Sequence, residues 1–185
     1  MDQNYDILLE KAKAFHGDVC AGIVLGTRMT LSGMKALGLD PLVRHRDLIV
    51  FVEIDRCMTD AVQAITSCSL GHRTLKFFNY GKFAATFYDM NKNKAVRVSR
   101  KNVEFDMDNP VQSINAISDD DLMSIHEVSV SLESNDMPGR PLGMDHCSRC
   151  GELILDKKGV EIDGRLLCRS CASGTYYNNS EAGKK

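Results

Sequence analysis

Phe15 to Gly38, FHGDVCAGIVLGTRMTLSGMKALG, is the stretch from which the rest of the chain can be read. His16 and Cys20 open it four residues apart, with Asp18 between them and Gly17 and Gly22 flanking the group. Behind them runs a helical pattern in which Gly22, Gly26 and Gly33 are spaced four and seven apart, nearly on one face. Glycine in a helix interior costs roughly 1 kcal/mol relative to alanine. Three on one face predict that another backbone packs very close there. An imidazole, a carboxylate and a thiol therefore stand at the start of a tightly held helix. Such a helix start favours negative charge and lowers the pKa of a nearby thiol.

Outward from this stretch, residues 4 to 15 read as a first helix, with Leu8, Ala12 and Phe15 on one face. The second helix runs from about Val19 to Leu37 and stops at Gly38, with Pro41 just beyond. Asp47 to Asp55, DLIVFVEID, is a buried strand. Arg56 to Ser67 is a short helix that Thr59 or Asp60 can cap, with Ala61, Ala64 and Ile65 inward. Thr74 to Tyr80 and Phe83 to Met90 read as strands around Gly81-Lys82. The polar turn MNKNK leads to a returning strand, Ala95 to Arg100. Ser118 to Asp121 opens a helical turn, and the alternation of Val128, Val130 and Leu132 predicts a half-buried strand. Helices first, then mixed strands and helices, predict an α+β sandwich. This core is expected to occupy residues 1–134.

Ser134 to Asp145 holds two Pro and two Gly without apolar periodicity, so 135–145 reads as a linker. A second unit, 146–177, follows, and the tail 178–185 is expected to be disordered. Net charge is −2, which gives no global field toward nucleic acid or anionic lipid. No apolar run approaches the ~20 residues of a membrane span, so no membrane partner is expected. The N-terminus lacks the apolar core of a signal peptide, which points to the cytoplasm. Seven cysteines in such a chain argue for metal or thiol chemistry rather than a disulfide framework.

Cys147-Ser-Arg-Cys150 and Cys168-Arg-Ser-Cys171 are two C-x2-C knuckles. Two intervening residues let a tight turn aim both thiolates at one ion, and two knuckles complete the closed tetrahedral shell of structural zinc. Between them, turn signals at Lys158-Gly159 and Asp163-Gly164 separate short apolar strands, as a zinc ribbon or treble-clef hairpin requires. So short a segment cannot hold a core unaided. Acidic residues interleave with the basic ones, from Arg149 and Glu152 to Asp163 and Arg165, which weighs against a nucleic-acid partner.

Cys57 and Cys68 are the remaining cysteines. Each alone reads as a small buried hydrophobe. Together with His16, Cys20 and His72 they fall at element ends, where sites are built. The expected core site is His16, Asp18, Cys20, Cys57 and Cys68, as a thiol site or one for a second metal.

FHGDVCAG and its glycine-spaced helix resemble the signature of the formylmethanofuran dehydrogenase E-subunit family. So do EIDRCMTDAVQAITSCSLG and the pair Gly81-Lys82. The family opening reads FHGH-x-C-x-G, and its middle reads C-x2-D-x2-Q with a GC pair downstream. The matching residues are His16, Cys20 and Gly22, then Cys57, Asp60 and Gln63, then Cys68. Asp18 stands where the family usually has a second histidine, and Ser67 where it has glycine. A carboxylate also ligates metals, so the first change alters a site without abolishing it. The resemblance implies an α+β core with a mixed sheet, similar to the catalytic domain of glyceraldehyde-phosphate dehydrogenases, with a four-cysteine zinc module as a frequent appendage. It implies a homodimer, and association with a molybdenum- or tungsten-dependent oxidoreductase. The glycine face adds an expectation of its own, more apolar surface than one small core covers. An accessory or metal-handling role follows from the resemblance. The alternatives are a freestanding enzyme using Cys20 with His16 or Asp18, and a zinc-ribbon regulator that binds nucleic acid.

Overall fold

The computed structural model describes residues 3–178. The expectation for the tail falls outside them, apart from Asn178. The backbone divides into two compact units, one running to Ser131 and the other starting at Leu132.

In the first unit, α1 (Tyr5–His16) buries Tyr5, Leu8, Leu9 and Ala12, an i, i+3, i+4, i+7 stripe. Gly17 ends it at φ +109°, with its N–H on the Lys13 carbonyl at 2.8 Å. Only glycine takes that conformation without strain, and it turns the chain straight into α2 (Ala21–Ala36). Every residue of α2 from Ile23 to Met34 is buried, so this helix is central rather than amphipathic. Its polar groups are satisfied accordingly. The Thr30 hydroxyl donates to the Gly26 carbonyl at 2.7 Å. Arg28 donates to the Ile114 carbonyl and, from Nε, to the Asp119 carboxylate, both at 2.8 Å. A buried guanidinium without such partners would not be tolerated.

The close neighbour expected at the glycine face is α3 (Met58–Thr66). A Cβ at Gly26 would lie 2.7 Å from the Met58 Cα, and one at Gly22 would lie 2.9 Å from the Cys57 Cβ. At Gly33 the neighbour is an aromatic ring instead, with Phe87 at 2.3 Å. All three partners belong to the same chain. The glycine face is therefore covered from within, contrary to its reading as surface left over for a second copy.

One mixed sheet supports the helices. Its strands are β1 (Leu48–Val52), β2 (Leu75–Phe77), β3 (Ala84–Asp89), β4 (Lys94–Arg100) and β5 (Met123–Val128), in the order β2-β1-β3-β4-β5. β1 and β2 are parallel, with α3 as the crossover, and the other pairs are antiparallel. The register sets Val50 opposite Phe87 and Val52 opposite Ala85, then Phe87 opposite Val96 and Ala85 opposite Val98. These residues share the core with α1, α2 and α3. The two strands flanking Gly81-Lys82 do not pair with each other, because β1 lies between them. The last strand sits five residues earlier than its alternation suggests. β5 pairs along β4 from Met123, opposite Arg100, to Val128, opposite Ala95. Val130 and Leu132 lie past the start of β4 and have no strand to pair with. Between β4 and β5 run α4 (Pro110–Asn115) and α5 (Asp119–Leu122), the latter capped by the Ser118 hydroxyl accepting from the Asp121 N–H at 3.1 Å. α4 is too short to leave a periodicity in the sequence.

The second unit contains β6 (Met144–His146), β7 (Leu153–Leu155), β8 (Val160–Ile162), β9 (Arg165–Leu167) and α6 (Arg169–Ser173). Asp163 and Gly164, at φ +50° and +71°, join β8 to β9 as a two-residue hairpin loop of the primed kind. Met144 and Asp145, the last residues of the expected linker, belong to β6, which pairs with β7. Upstream of them Lys158 reaches the Asp136 carboxylate at 2.7 Å, and the Asp156 N–H donates to the Gly143 carbonyl at 3.0 Å.

Candidate metal centres

The buried centre of the second unit consists of Cys147, Ile154 and Leu167. That is far too little apolar surface to fix five short elements. The cysteines take the place of a larger core. The first knuckle is the loop between β6 and β7, closed by the Gly151 N–H on the Cys147 carbonyl at 2.9 Å, with Gly151 at φ +77°. The second is the first turn of α6, where Cys168 is the N-cap and its sulfur accepts from the Cys171 N–H. The four sulfurs all lie within 4.8 Å of one another. Cys150 Sγ and Cys168 Sγ are 3.8 Å apart. A tetrahedron with zinc–sulfur arms of about 2.3 Å has edges of about 3.8 Å, so the donor set fits zinc in chemistry and in size. The thiols are unequal. Backbone N–H groups of Cys150 and Cys168 aimed at the Cys147 sulfur hold it down to about 6. The neighbouring Cys168 sulfur, followed by burial, pushes Cys171 up to about 12.

A second cluster forms where three helices meet in the first unit. His16 is the last residue of α1, Cys20 is the N-cap of α2, and Cys57 is the N-cap of α3. One nitrogen of His16 and the sulfurs of Cys20 and Cys57 lie within 4.8 Å of one another, all partly buried. Gly22 makes this approach possible, since a Cβ there would also come within 3.6 Å of both sulfurs. His16 is held from behind: its Nδ1 lies 2.7 Å from Asp60 Oδ2. Gln63 Nε2 in turn donates to Asp60 Oδ1 at 3.4 Å. A carboxylate behind an imidazole fixes its tautomer and orientation and raises its basicity as a ligand. Burial, then the adjoining Cys20 sulfur, push the Cys57 thiol up.

Three of the five expected core residues thus come together. Asp18 stands at the rim, largely exposed, with Oδ1 3.7 Å from His16 Nε2. Cys68 is elsewhere. It lies past the far end of α3, 3% exposed, with its thiol donating to the Leu48 carbonyl at 3.4 Å. The nine residues of α3 set it about 14 Å from Cys57 along the helix. Burial pushes the Cys68 thiol up, as expected for a thiol that serves as core. His72 bonds to the Ser69 hydroxyl on the surface. Asp60 is the residue that site selection by ligand type passes over. Its signal is the spacing: Cys57, Asp60 and Gln63 recur every three residues, on one side of a helix.

Residues 15–121 match the family described as "FmdE, Molybdenum formylmethanofuran dehydrogenase operon". Residues 140–177 match the prokaryotic dksA/traR C4-type zinc finger. Among curated proteins, the chain is 29% identical over 200 residues to a "Probable S-adenosyl-L-methionine-binding protein" of Archaeoglobus fulgidus. That match takes in 92% of this chain and 53% of the relative, so the chain spans about half the relative's length. Among solved structures, an FmdE-like protein of the tungsten formylmethanofuran dehydrogenase type from Syntrophus aciditrophicus is similar, with a TM-score of 0.59 and 25% identity. The likeness covers 94% of this chain and 95% of that one.

Proposed function

Since this chain belongs to the FmdE family and ends in a C4-type zinc finger, we propose that it is a homodimeric, cytoplasmic metal-handling accessory of molybdenum- or tungsten-dependent oxidoreductases. One observation carries this reading: the His16, Cys20 and Cys57 cluster, backed by Asp60. Two sulfurs and an imidazole suit zinc or a comparable soft divalent metal. Three protein ligands leave one coordination position for an incoming group, the arrangement of sites that act on or exchange something rather than merely hold a fold. Asp18, at the rim, is the nearest side chain that could fill that position. The four-cysteine module is the opposite case, closed by its own ligands and structural. The link to an oxidoreductase rests on the family's association with formylmethanofuran dehydrogenase operons.

Elemental analysis of protein purified without chelators tests the central claim. We expect about two metal ions per chain, with Cys20→Ser or Cys57→Ser removing one and Cys150→Ser removing the other. A single ion per chain, unaffected by changes at Cys20 and Cys57, would overturn it.

A second reading has its own observation. The Asp60–His16 contact at 2.7 Å is the orienting half of a Cys-His-Asp arrangement, in which Cys20 would be the nucleophile. Alkylation separates the two. A metal-bound Cys20 resists iodoacetamide until the ion is stripped. A catalytic Cys20 reacts at neutral pH in protein as purified, and faster than Cys68.

A further inference from the structure

Gly81-Lys82 plays no part in either cysteine cluster. The N–H groups of Tyr80 and Lys82 both donate to the Glu53 carbonyl, at 3.0 and 3.2 Å, and Gly81 sits at φ +67°. The loop is thereby folded over the end of β1. The Arg100 N–H donates to the Phe83 carbonyl at 3.0 Å, which brings the end of β4 to the same place. Between them lies a cavity of about 480 Å³ lined by Lys82, Phe83, Arg97, Ser99, Arg100 and Lys101, among other residues. No carboxylate is among the described residues that line it.

The charges there are unevenly met. Arg97 is neutralised by Glu53 through two bonds of 2.6 and 2.7 Å. Arg100 has only neutral partners: Nη2 donates to the Val103 carbonyl at 2.7 Å, and the guanidinium lies 4.9 Å from the Phe105 ring centre. Its Nε is buried without any hydrogen-bond partner. Lys101 donates to the Asp120 carbonyl, again a neutral group. The Lys82 ammonium has no ion pair or hydrogen bond among the described residues. Three positive charges are thus gathered around one hollow of a chain whose net charge is −2. A buried donor with no acceptor calls for an explanation, and a bound anion is the one that also accounts for the surrounding cations.

We propose that this cavity binds a small phosphate-bearing molecule, with Arg100, Lys82 and Lys101 as charged donors and the Ser99 hydroxyl as a neutral one. A doubly charged tetrahedral anion has acceptors enough for several donors at once. The volume exceeds what free phosphate fills and lies in the range of small-molecule sites, so a phosphate ester or diphosphate is the class of occupant. The inference is independent of the cysteine clusters.

Calorimetric titration of the full-length, zinc-loaded protein with pyrophosphate, inorganic phosphate and acetate, at fixed chloride, tests it. Saturable pyrophosphate binding is expected, at least about tenfold tighter than that of acetate. Lys82→Gln, on an exposed loop, should weaken it by about tenfold, and Arg100→Lys, which keeps charge but loses the Nε donor, by at least as much. Pyrophosphate bound more tightly than phosphate points to an ester or diphosphate occupant. Equal affinity points to free phosphate, which retains the site but overturns the larger occupant. No saturation up to about 10 mM pyrophosphate, or equal affinity in native protein and the Lys82→Gln, Arg100→Lys double variant, overturns the site itself.

Discussion

Gly22 is the residue on which the core cluster depends most directly, because it leaves room for Cys57 beside Cys20. Gly22→Ala is expected to force the two sulfurs apart, so that the protein loses its core metal and keeps the zinc of the C-terminal module. Metal analysis of this variant checks the point. Asp60→Asn keeps the shape behind His16 but removes the carboxylate charge, and should lower core-metal affinity roughly 10–100-fold. Chelator competition measures that ratio. The thiols of the module make a pH prediction. Protons compete with zinc, so affinity falls as pH falls. Cys147, held down to about 6, is already thiolate at neutral pH and releases no proton on binding there. Cys171, pushed up to about 12, must give one up throughout the neutral range. Log affinity should therefore rise with pH between about 7 and 9, and the slope should steepen below about pH 6, where Cys147 is protonated as well. A slope that does not change near pH 6 would contradict this assignment.

At the scale of elements, α3 brings the site together. It carries Cys57, Asp60 and Gln63 along one side, and it packs its first turn against Gly22 and Gly26 of α2. Gly26→Ala would set a methyl group 2.7 Å from the Met58 Cα, a backbone atom that cannot swing aside. We expect it to lower stability by about 1–3 kcal/mol, measured by urea denaturation, and to displace Cys57 along with Met58. On the outer face of the sheet, Arg97 of β4 is tied to Glu53, a carboxylate only 7% exposed beyond the end of β1. Arg97→Met would leave that carboxylate buried and unpaired, at a cost of roughly 3 kcal/mol. Adding Glu53→Gln to Arg97→Met should recover part of the loss, because the stranded charge is then gone. If the double variant is no more stable than the single one, the pair acts through packing rather than charge.

For the whole molecule, two units with separate cores imply two separate responses to metal removal. Strong chelation should make the segment from Leu132 onward sensitive to protease while the unit up to Ser131 resists. That follows because zinc binding supplies folding free energy to a segment with three buried residues in its own core. The core unit, with helices and sheet packed on each other, has no such dependence. Light scattering at micromolar concentration tests the proposed dimer, and a monomer there would remove it. Among the described residues no helix is long and apolar enough to cross a membrane.

The zinc module was legible in the sequence because its chemistry is local. Two residues between cysteines aim both sulfurs at one point whatever the rest of the chain does, and Asp163-Gly164 carries its own turn geometry. The central helix was equally plain, since glycines at Gly22, Gly26 and Gly33 mark a close neighbour wherever it comes from. What that neighbour is depends on the whole fold: α3 at two of the glycines, Phe87 of β3 at the third. The same packing decided which cysteine joins His16 and Cys20. Cys57 and Cys68 flank one helix, and residue type does not distinguish them. The end of α3 that lies against Gly22 is the end with Cys57, so Cys68 becomes core. The last strand shows the same division, for alternation marks Val128 to Leu132 as strand-like, but only residues opposite β4 have hydrogen bonds to make. Residue types and short spacings determine what a segment can do, and long-range packing determines which of those abilities meet at one point in space.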